Sequence, residues 1–158
     1  MNDLEDLLVS VKDYLKSNLN TKIASINTEK TAGGSDFVID TITADDSHYL
    51  ISGTYREIPG HDFVSVALFS QPELLSNYDV TKITAEIMVE VVIANAKNAQ
   101  TYYKSLRYMR ALYETLERYE LSTIEVGGLQ LTGASPMEVT TNRRELVISG
   151  VILSIAIA

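Results

Sequence analysis

The chain has 158 residues, no cysteine, 46% hydrophobic and 22% charged residues and a formal net charge of −8. This length predicts a single domain spanning 1–158 that buries roughly two thirds of the surface its unfolded form exposes, and the composition is globular. The missing cysteines exclude disulfides and thiolate metal sites, and the acidic balance argues against a sequence-reading nucleic-acid binder, whose affinity for phosphate comes from Lys and Arg.

The N-terminus, "MNDLEDLLVS", carries acids where an export signal needs a basic stretch, so none is expected. Leu4, Leu7, Leu8, Val11, Leu15 and Leu19 recur at spacings of three and four and predict an amphipathic helix. Asn2 and Glu5 read as its capping box, and Asp3, Glu5 and Asp6 favour the positive end of the helix dipole. Lys22–Asn27 reads as a short strand, and "NTEKTAGGSD" as a break with Gly33-Gly34 in a loop.

Two strands, Phe37–Thr43 and Tyr49–Tyr55, are then expected to form a hairpin around "ADDS", followed by a turn in "REIPGH". Phe63–Phe69 reads as a strand with Val64, Val66 and Leu68 on one face and Phe63, Ala67 and Phe69 on the other. "SQPELLSNYD" reads as a surface loop. In "KITAEIMVEVVIAN", Ile83, Ala85, Ile87, Val89, Val91 and Ile93 hold every odd position, a period of two that predicts a long strand with one packed face.

Asn95–Asn98 turn the chain into a second helix, about Ala99–Tyr119, with an expected packed stripe of Tyr102, Leu106, Met109, Tyr113 and Leu116. Arg110–Glu114 and Glu114–Arg118 are i,i+4 pairs on its solvent side. "VGGLQLTGASP" reads as a strand broken by glycines; Met137–Thr141 and Leu146–Ile157 flank "TNRR" as a hairpin. The order predicts an α+β fold: an antiparallel or mixed sheet packed against the N-terminal helix and one long central helix.

The closing segment "ELVISGVILSIAIA" is apolar on both pleat faces, and its thirteen residues after Glu145 fall short of the roughly 20 a membrane-spanning helix needs. Val147, Val151, Leu153, Ile155 and Ile157 share one face; Leu146, Ile148 and Ile152 share the other. Two readings of that second face remain open: a central strand covered within the monomer, or a strand partly covered by a neighbouring subunit.

Reactive constellations are weak. His48 and His61 each sit near a turn and lack metal-ligand spacing, which suits a surface or interface role. Asp45-Asp46 reads as a turn pair bonding its own backbone, and "TAGGSD" as a connector, since it lacks the spacing and Lys of a phosphate loop. No catalytic, cofactor-binding or metal-ligating residue is expected. Lys97, Lys104, Arg107 and Arg110, interleaved with Tyr102, Tyr103 and Tyr108, concentrate positive charge in the first half of the second helix. Core-edge tyrosines with a solvated basic face outweigh a nucleic-acid surface, and that face can also meet an acidic face of another copy.

The layout resembles the tail terminator (tail completion) proteins of long-tailed bacteriophages and related contractile tail systems. It rests on an amphipathic first helix, the strand "DFVSVALF" after "IPGH", the alternating strand ending "VEVVIAN", the Tyr- and Arg-rich helix behind it, the glycine-broken segment and the final apolar strand. The resemblance implies a structural virion protein, not an enzyme. It would form a homo-oligomeric ring, a hexamer, that caps the tail tube, ends polymerisation and provides the head-docking surface. Implied partners are the tail tube protein, a head-proximal neck or connector protein and, in a contractile system, the sheath protein. DNA would pass through without specific binding. The expected place is the tail and neck of the virion, assembled in the host cytoplasm, with no membrane contact. Candidate subunit-interface residues are Lys104, Arg107, Arg110, Ile152, Ile155 and Ile157. The alternatives are another neck component, such as a head-completion or connector protein, or a small α+β enzyme or ligand-binding domain.

Overall fold

The computed structural model describes residues 4–51, 59–69, 73–77, 80–94, 100–117, 119, 124–139 and 144–157. The expected cap at Asn2, the turn at Asn95–Asn98, the Glu114–Arg118 pair and the "TNRR" turn lie outside these residues, as does the part of "REIPGH" before Pro59.

The first element is a helix, α1, running Leu4–Ala32. Its buried residues, Leu7, Val11, Leu15, Leu19, Ile23 and Ile26, keep one stripe over the whole length. The strand expected at Lys22–Asn27 is therefore helical: Ile23 and Ile26 continue the stripe, and packing overrides the weak local preference of these residues. The helix ends on a glycine stop. Gly34 takes φ = 89°, its N–H donates to Thr31 O, and the Ser35 N–H reaches back to Lys30 O at 2.9 Å. This pair of bonds satisfies carbonyls that the last turn would leave open.

The six strands are β1 (Tyr49–Ile51), β2 (Phe63–Leu68), β3 (Glu73–Asn77), β4 (Val80–Ile93), β5 (Ile124–Val139) and β6 (Arg144–Ile157). They form one sheet in the order β1-β2-β4-β6-β5, with β3 also paired to β4. β1 and β2 are parallel and the other pairings antiparallel, so the sheet is mixed. Helix α2 (Gln100–Leu116) precedes β5. The fold is α+β, with α1 against β1 and β2 and α2 against β4, β5 and β6.

Register explains why the core is continuous. Val66, Val89 and Val151 stand side by side across β2, β4 and β6, and Ile87 stands beside Leu153. All five are fully buried and join the helix stripes in one cluster. Each such side chain withdrawn from water contributes about 1.5–3 kcal/mol. On the opposite face Phe63, Val92 and Ala94 form a smaller cluster with Leu50 and Ile148 packed against it. Ile152 on that face is also buried. β6 thus lies inside the sheet, and on its second face Ile152 is buried and Ile148 half-buried within the chain.

Four further expectations change. The hairpin of Phe37–Thr43 with Tyr49–Tyr55 does not form: residues 35–43 make no strand, and β1 pairs with β2 instead. "SQPELLSNYD" contains β3, a strand because β4 extends far enough to pair Glu73–Asn77 with Val80–Thr84. The glycine-broken segment is continuous strand: sixteen residues of β5 run against fourteen of β6, and the excess is absorbed by register shifts between Val126 and Gly128 and between Leu131 and Gly133. These are bulges, where an extra residue bends the strand without ending its pairing. Finally, the packed face of α2 is turned from the expected one. Thr101, Ser105, Tyr108, Ala111, Leu112, Thr115 and Leu116 are buried; of the expected stripe Leu116 is therefore in the core, Met109 and Tyr113 pack against its edge, and Tyr102 is half exposed.

Candidate functional site

The segment between α1 and β1 shapes the surface of interest. Residues 35–43 form a strap that lies on the helices and is held by side chains. Asn27 donates to Ile39 O at 2.8 Å and accepts from Ile39 N–H at 2.9 Å; Asn20 does the same to Ile42 at 2.7 and 2.9 Å. From the other side Tyr108 donates its hydroxyl to Asp40 O at 2.7 Å. Burial pushes that hydroxyl's pKa up.

Three candidate interface residues of α2 go to three different places. Arg107 reaches the strap: Nη1 donates to Phe37 O at 2.8 Å, Nη2 to Ser35 Oγ at 2.7 Å, and the guanidinium lies 4.0 Å from the centroid of the Phe37 ring. Arg110 ties α2 to α1. Its Nη1 and Nη2 fork onto the Glu29 carboxylate at 2.8 and 2.7 Å, while Nε donates to Glu114 Oε1 at 2.6 Å. The bond from Arg110 holds Glu29 below the usual carboxylate range. Paired planar groups of this kind have fixed geometry, so Arg110 works as a clasp between helices. Lys104 lies on the flank near Asp62, whose carboxylate accepts the Ala94 N–H at 2.9 Å and is raised in pKa by burial. These three basic residues therefore do not make a single open basic face; Lys97 lies outside the described residues.

The candidates on β6 sit within the sheet. Ile152 is buried and stands between Met88 and Gln130; Ile155 stands between Ala85 and Val126, and Ile157 between Ile83 and Ile124. Backbone pairing occupies both sides of β6, so at this end of the sheet the outer strand is β5, not the closing segment.

A feature that sequence reasoning missed lies beside Arg107. Lys30, Phe37, Tyr103, Leu106 and Arg107 line an open cleft of about 340 Å³. Tyr102 and Tyr103 are 50% and 60% exposed beside it, their rings 6.2 Å apart, and Val38 of the strap is 48% exposed. The signal was the run Thr101, Ser105, Thr115. Small hydroxyl residues pack closely in a helix when they bond back to its carbonyls, as Ser105 does to Tyr102 O and Thr115 to Ala111 O. That face turns inward and sends the two tyrosines out.

The histidines, thirteen positions apart, are brought together with their rings 3.9 Å apart. Asp45 Oδ1 lies 2.7 Å from His48 Nδ1 and accepts from the Ser47 and His48 N–H groups at 3.0 Å each. Ser47 Oγ also lies 3.0 Å from His48 Nδ1. A nucleophilic relay needs serine and carboxylate on opposite ring nitrogens. Here both sit on one nitrogen, which is the geometry of a capped turn. Asp46 bonds Lys12 and Lys16 of α1 at 3.3 and 2.8 Å. Among the described residues no three His, Asp or Glu side chains converge as a metal-holding group, and no helix is long and apolar enough to cross a membrane. Against known proteins, the chain matches no family model and no curated relative.

Proposed function

We propose that this chain is a structural assembly protein of the tail-terminator kind: it forms a ring that caps a tail tube, ends tube polymerisation and offers a docking surface to the head. The observation that carries the reading is the aromatic cleft between the strap and α2. Tyr102, Tyr103 and Val38 put large apolar groups in water beside two cations, on a chain of net charge −8. Exposed aromatic side chains grouped with a cation are the composition of interface centres. The order of elements, an amphipathic helix, a long alternating strand, a Tyr- and Arg-rich helix and a closing apolar strand, supports the same reading.

Such a cap works through differing surfaces and needs no bond chemistry. One side of the ring must complement the tube, and the other must refuse a further tube ring. A closed ring needs heterologous contacts, in which two different patches of each copy meet. The test is electron microscopy of tails assembled without this protein, paired with native mass spectrometry of the purified chain. Tubes of uncontrolled length, with a closed oligomer in solution, are the expected result. Tubes of normal length that fail to join heads would move the chain to another neck role, and tails unaffected by its loss would overturn the assignment.

A further inference from the structure

We infer that neighbouring copies meet through the acidic first turns of α1 from one copy and the Lys30–Arg107 cleft of the next. The inference rests on the assembly reading above and names the two patches that form its contact. The cleft offers cations at Lys30 and Arg107, with Phe37, Tyr103 and Leu106 as its apolar lining. Among the described residues none that lines it carries a carboxylate; Glu29, 4.0 Å from Lys30, is held by the fork of Arg110.

The complementary surface lies on the same helix. Glu5, Val9 and Asp13 recur at intervals of four, so they share one face of α1, and all three are exposed. Val9 is 36% exposed, and the Asp13 side chain is 59% exposed. That face combines acids with an apolar group, and the cleft combines cations with an apolar lining. Lys12 is shared between Asp46 at 3.3 Å and Asp13 at 3.8 Å, and Lys16 is engaged by Asp46 at 2.8 Å, so Glu5, Asp13 and Asp46 together outnumber the two lysines and the stripe stays net acidic.

Glu5 and Lys30 are twenty-five residues apart in one helix, about 38 Å along its axis. A copy cannot fold its own stripe onto its own cleft. Each copy therefore has an acidic patch at one end of α1 and a cationic cleft at the other. This is a heterologous, head-to-tail arrangement, the kind that closes rings or extends filaments. The alternative occupant of a cleft with two cations and an exposed tyrosine is a single-stranded nucleic acid, whose bases stack on aromatic rings. The chain's net negative charge opposes it at long range, and the charge pattern of α1 favours a second copy.

The absence of native cysteine makes the contact directly testable. Chains carrying Val9→Cys mixed with chains carrying Tyr103→Cys are expected to form a disulfide between the two variants under mild oxidation, several-fold faster than either variant alone. Both positions are exposed, so the folded state is retained. Within one chain the two positions lie too far apart for a bond that needs Cα atoms within about 7 Å. Independently, Lys30→Glu is expected to weaken self-association about tenfold by native mass spectrometry, since like charges then face each other, and Glu5→Lys combined with Lys30→Glu to restore it. An oligomer that forms normally with Lys30→Glu and shows no mixed crosslink would overturn this contact while leaving the ring reading intact. A chain that stays monomeric with no mixed crosslink, on tails that assemble normally without it, would remove both. Tighter binding of a dT oligonucleotide to the native cleft than to Lys30→Glu, without mixed crosslinks, would hand the cleft to nucleic acid and overturn the inference.

Discussion

The strap at 35–43 and the pair β4–β6 are both extended chain packed on the same core, yet they are held by opposite means. In β4–β6 the backbone supplies its own partners over eleven residue pairs, from Ile83↔Ile157 to Ile93↔Val147. In the strap two asparagine amides stand in for a neighbouring strand. The dimensions explain why this works. Asn20 and Asn27 are two helical turns apart, about 10.5 Å of rise. Ile39 and Ile42 are three extended residues apart, about 10 Å. A helix with Asn at i and i+7 thus matches an extended chain at every third residue, and because Asn27 takes Ile39 while Asn20 takes Ile42, the strap runs antiparallel to α1. A sheet strand spreads its fixation over many equivalent bonds; the strap concentrates it in four side chains, the two asparagines of α1 with Arg107 and Tyr108 of α2.

The largest expected effect comes from breaking the sheet side. Leu153→Ala removes a fully buried side chain beside Ile87 and is expected to lower stability by about 2–5 kcal/mol in urea unfolding, with the transition still single. Next comes the strap. Asn20→Ala leaves the N–H and C=O of Ile42 without their partner, and removing partners from such groups costs about 1–3 kcal/mol each where they are buried. Ile42 itself is 2% exposed, so a loss near 2 kcal/mol is expected. Hydrogen exchange sharpens the comparison. In Asn20→Ala the Ile42 amide should lose protection while the Val89 and Val151 amides keep theirs. Equal loss everywhere would mean that strap and sheet open as one unit.

A smaller effect is expected where the strap begins. Gly34→Ala places a Cβ at φ = 89°, with nothing within 4 Å to clash with. The penalty is then conformational alone, about 1–2 kcal/mol. A larger loss in the unfolding midpoint would show that the turn also controls how the strap docks.

How much of this was legible in the residues follows from the same contrast. Period two over Ile83–Ile93 needs no distant partner to be recognised, and β4 is where it predicts. The stripe of α1 was legible to Leu19 and then lost, because Thr21, Lys22 and Ser25 dilute the signal that Ile23 and Ile26 carry on. β3 has no period of its own and exists through its pairing with β4. The strap was misread as a strand because Val38, Ile39 and Ile42 have strand-like chemistry, while their partners are amides from twelve and twenty-two positions earlier. The cleft was less legible still. It needs Arg107 over Phe37, a contact across seventy positions, and the inward turn of Thr101 and Ser105, residues that composition assigns to the surface. Arg110–Glu114 was legible as a local pair, but the fork onto Glu29 was not.

The smallest predicted effect concerns the far end of the strap, where it meets β1. Asp45 caps that turn with Ser47 and His48. The bond from His48, then that from Ser47, lowers its carboxyl pKa from 3.8 to about 2. A carboxylate whose pKa is lower folded than unfolded adds stability once the pH exceeds its unfolded value. That contribution is lost as the pH falls through the folded value. The window is therefore about pH 4 down to about pH 2, and the side chain is half in water, so the effect is modest and screened by salt. Asp45→Asn keeps the acceptor oxygen but cannot titrate. Thermal unfolding at pH 5 and pH 2.5 should thus show a smaller difference for Asp45→Asn than for the native chain. Equal differences would mean that the turn is held by the α1 asparagines that bind the strap and by the pairing of Tyr49 with Val64, with the aspartate adding nothing measurable.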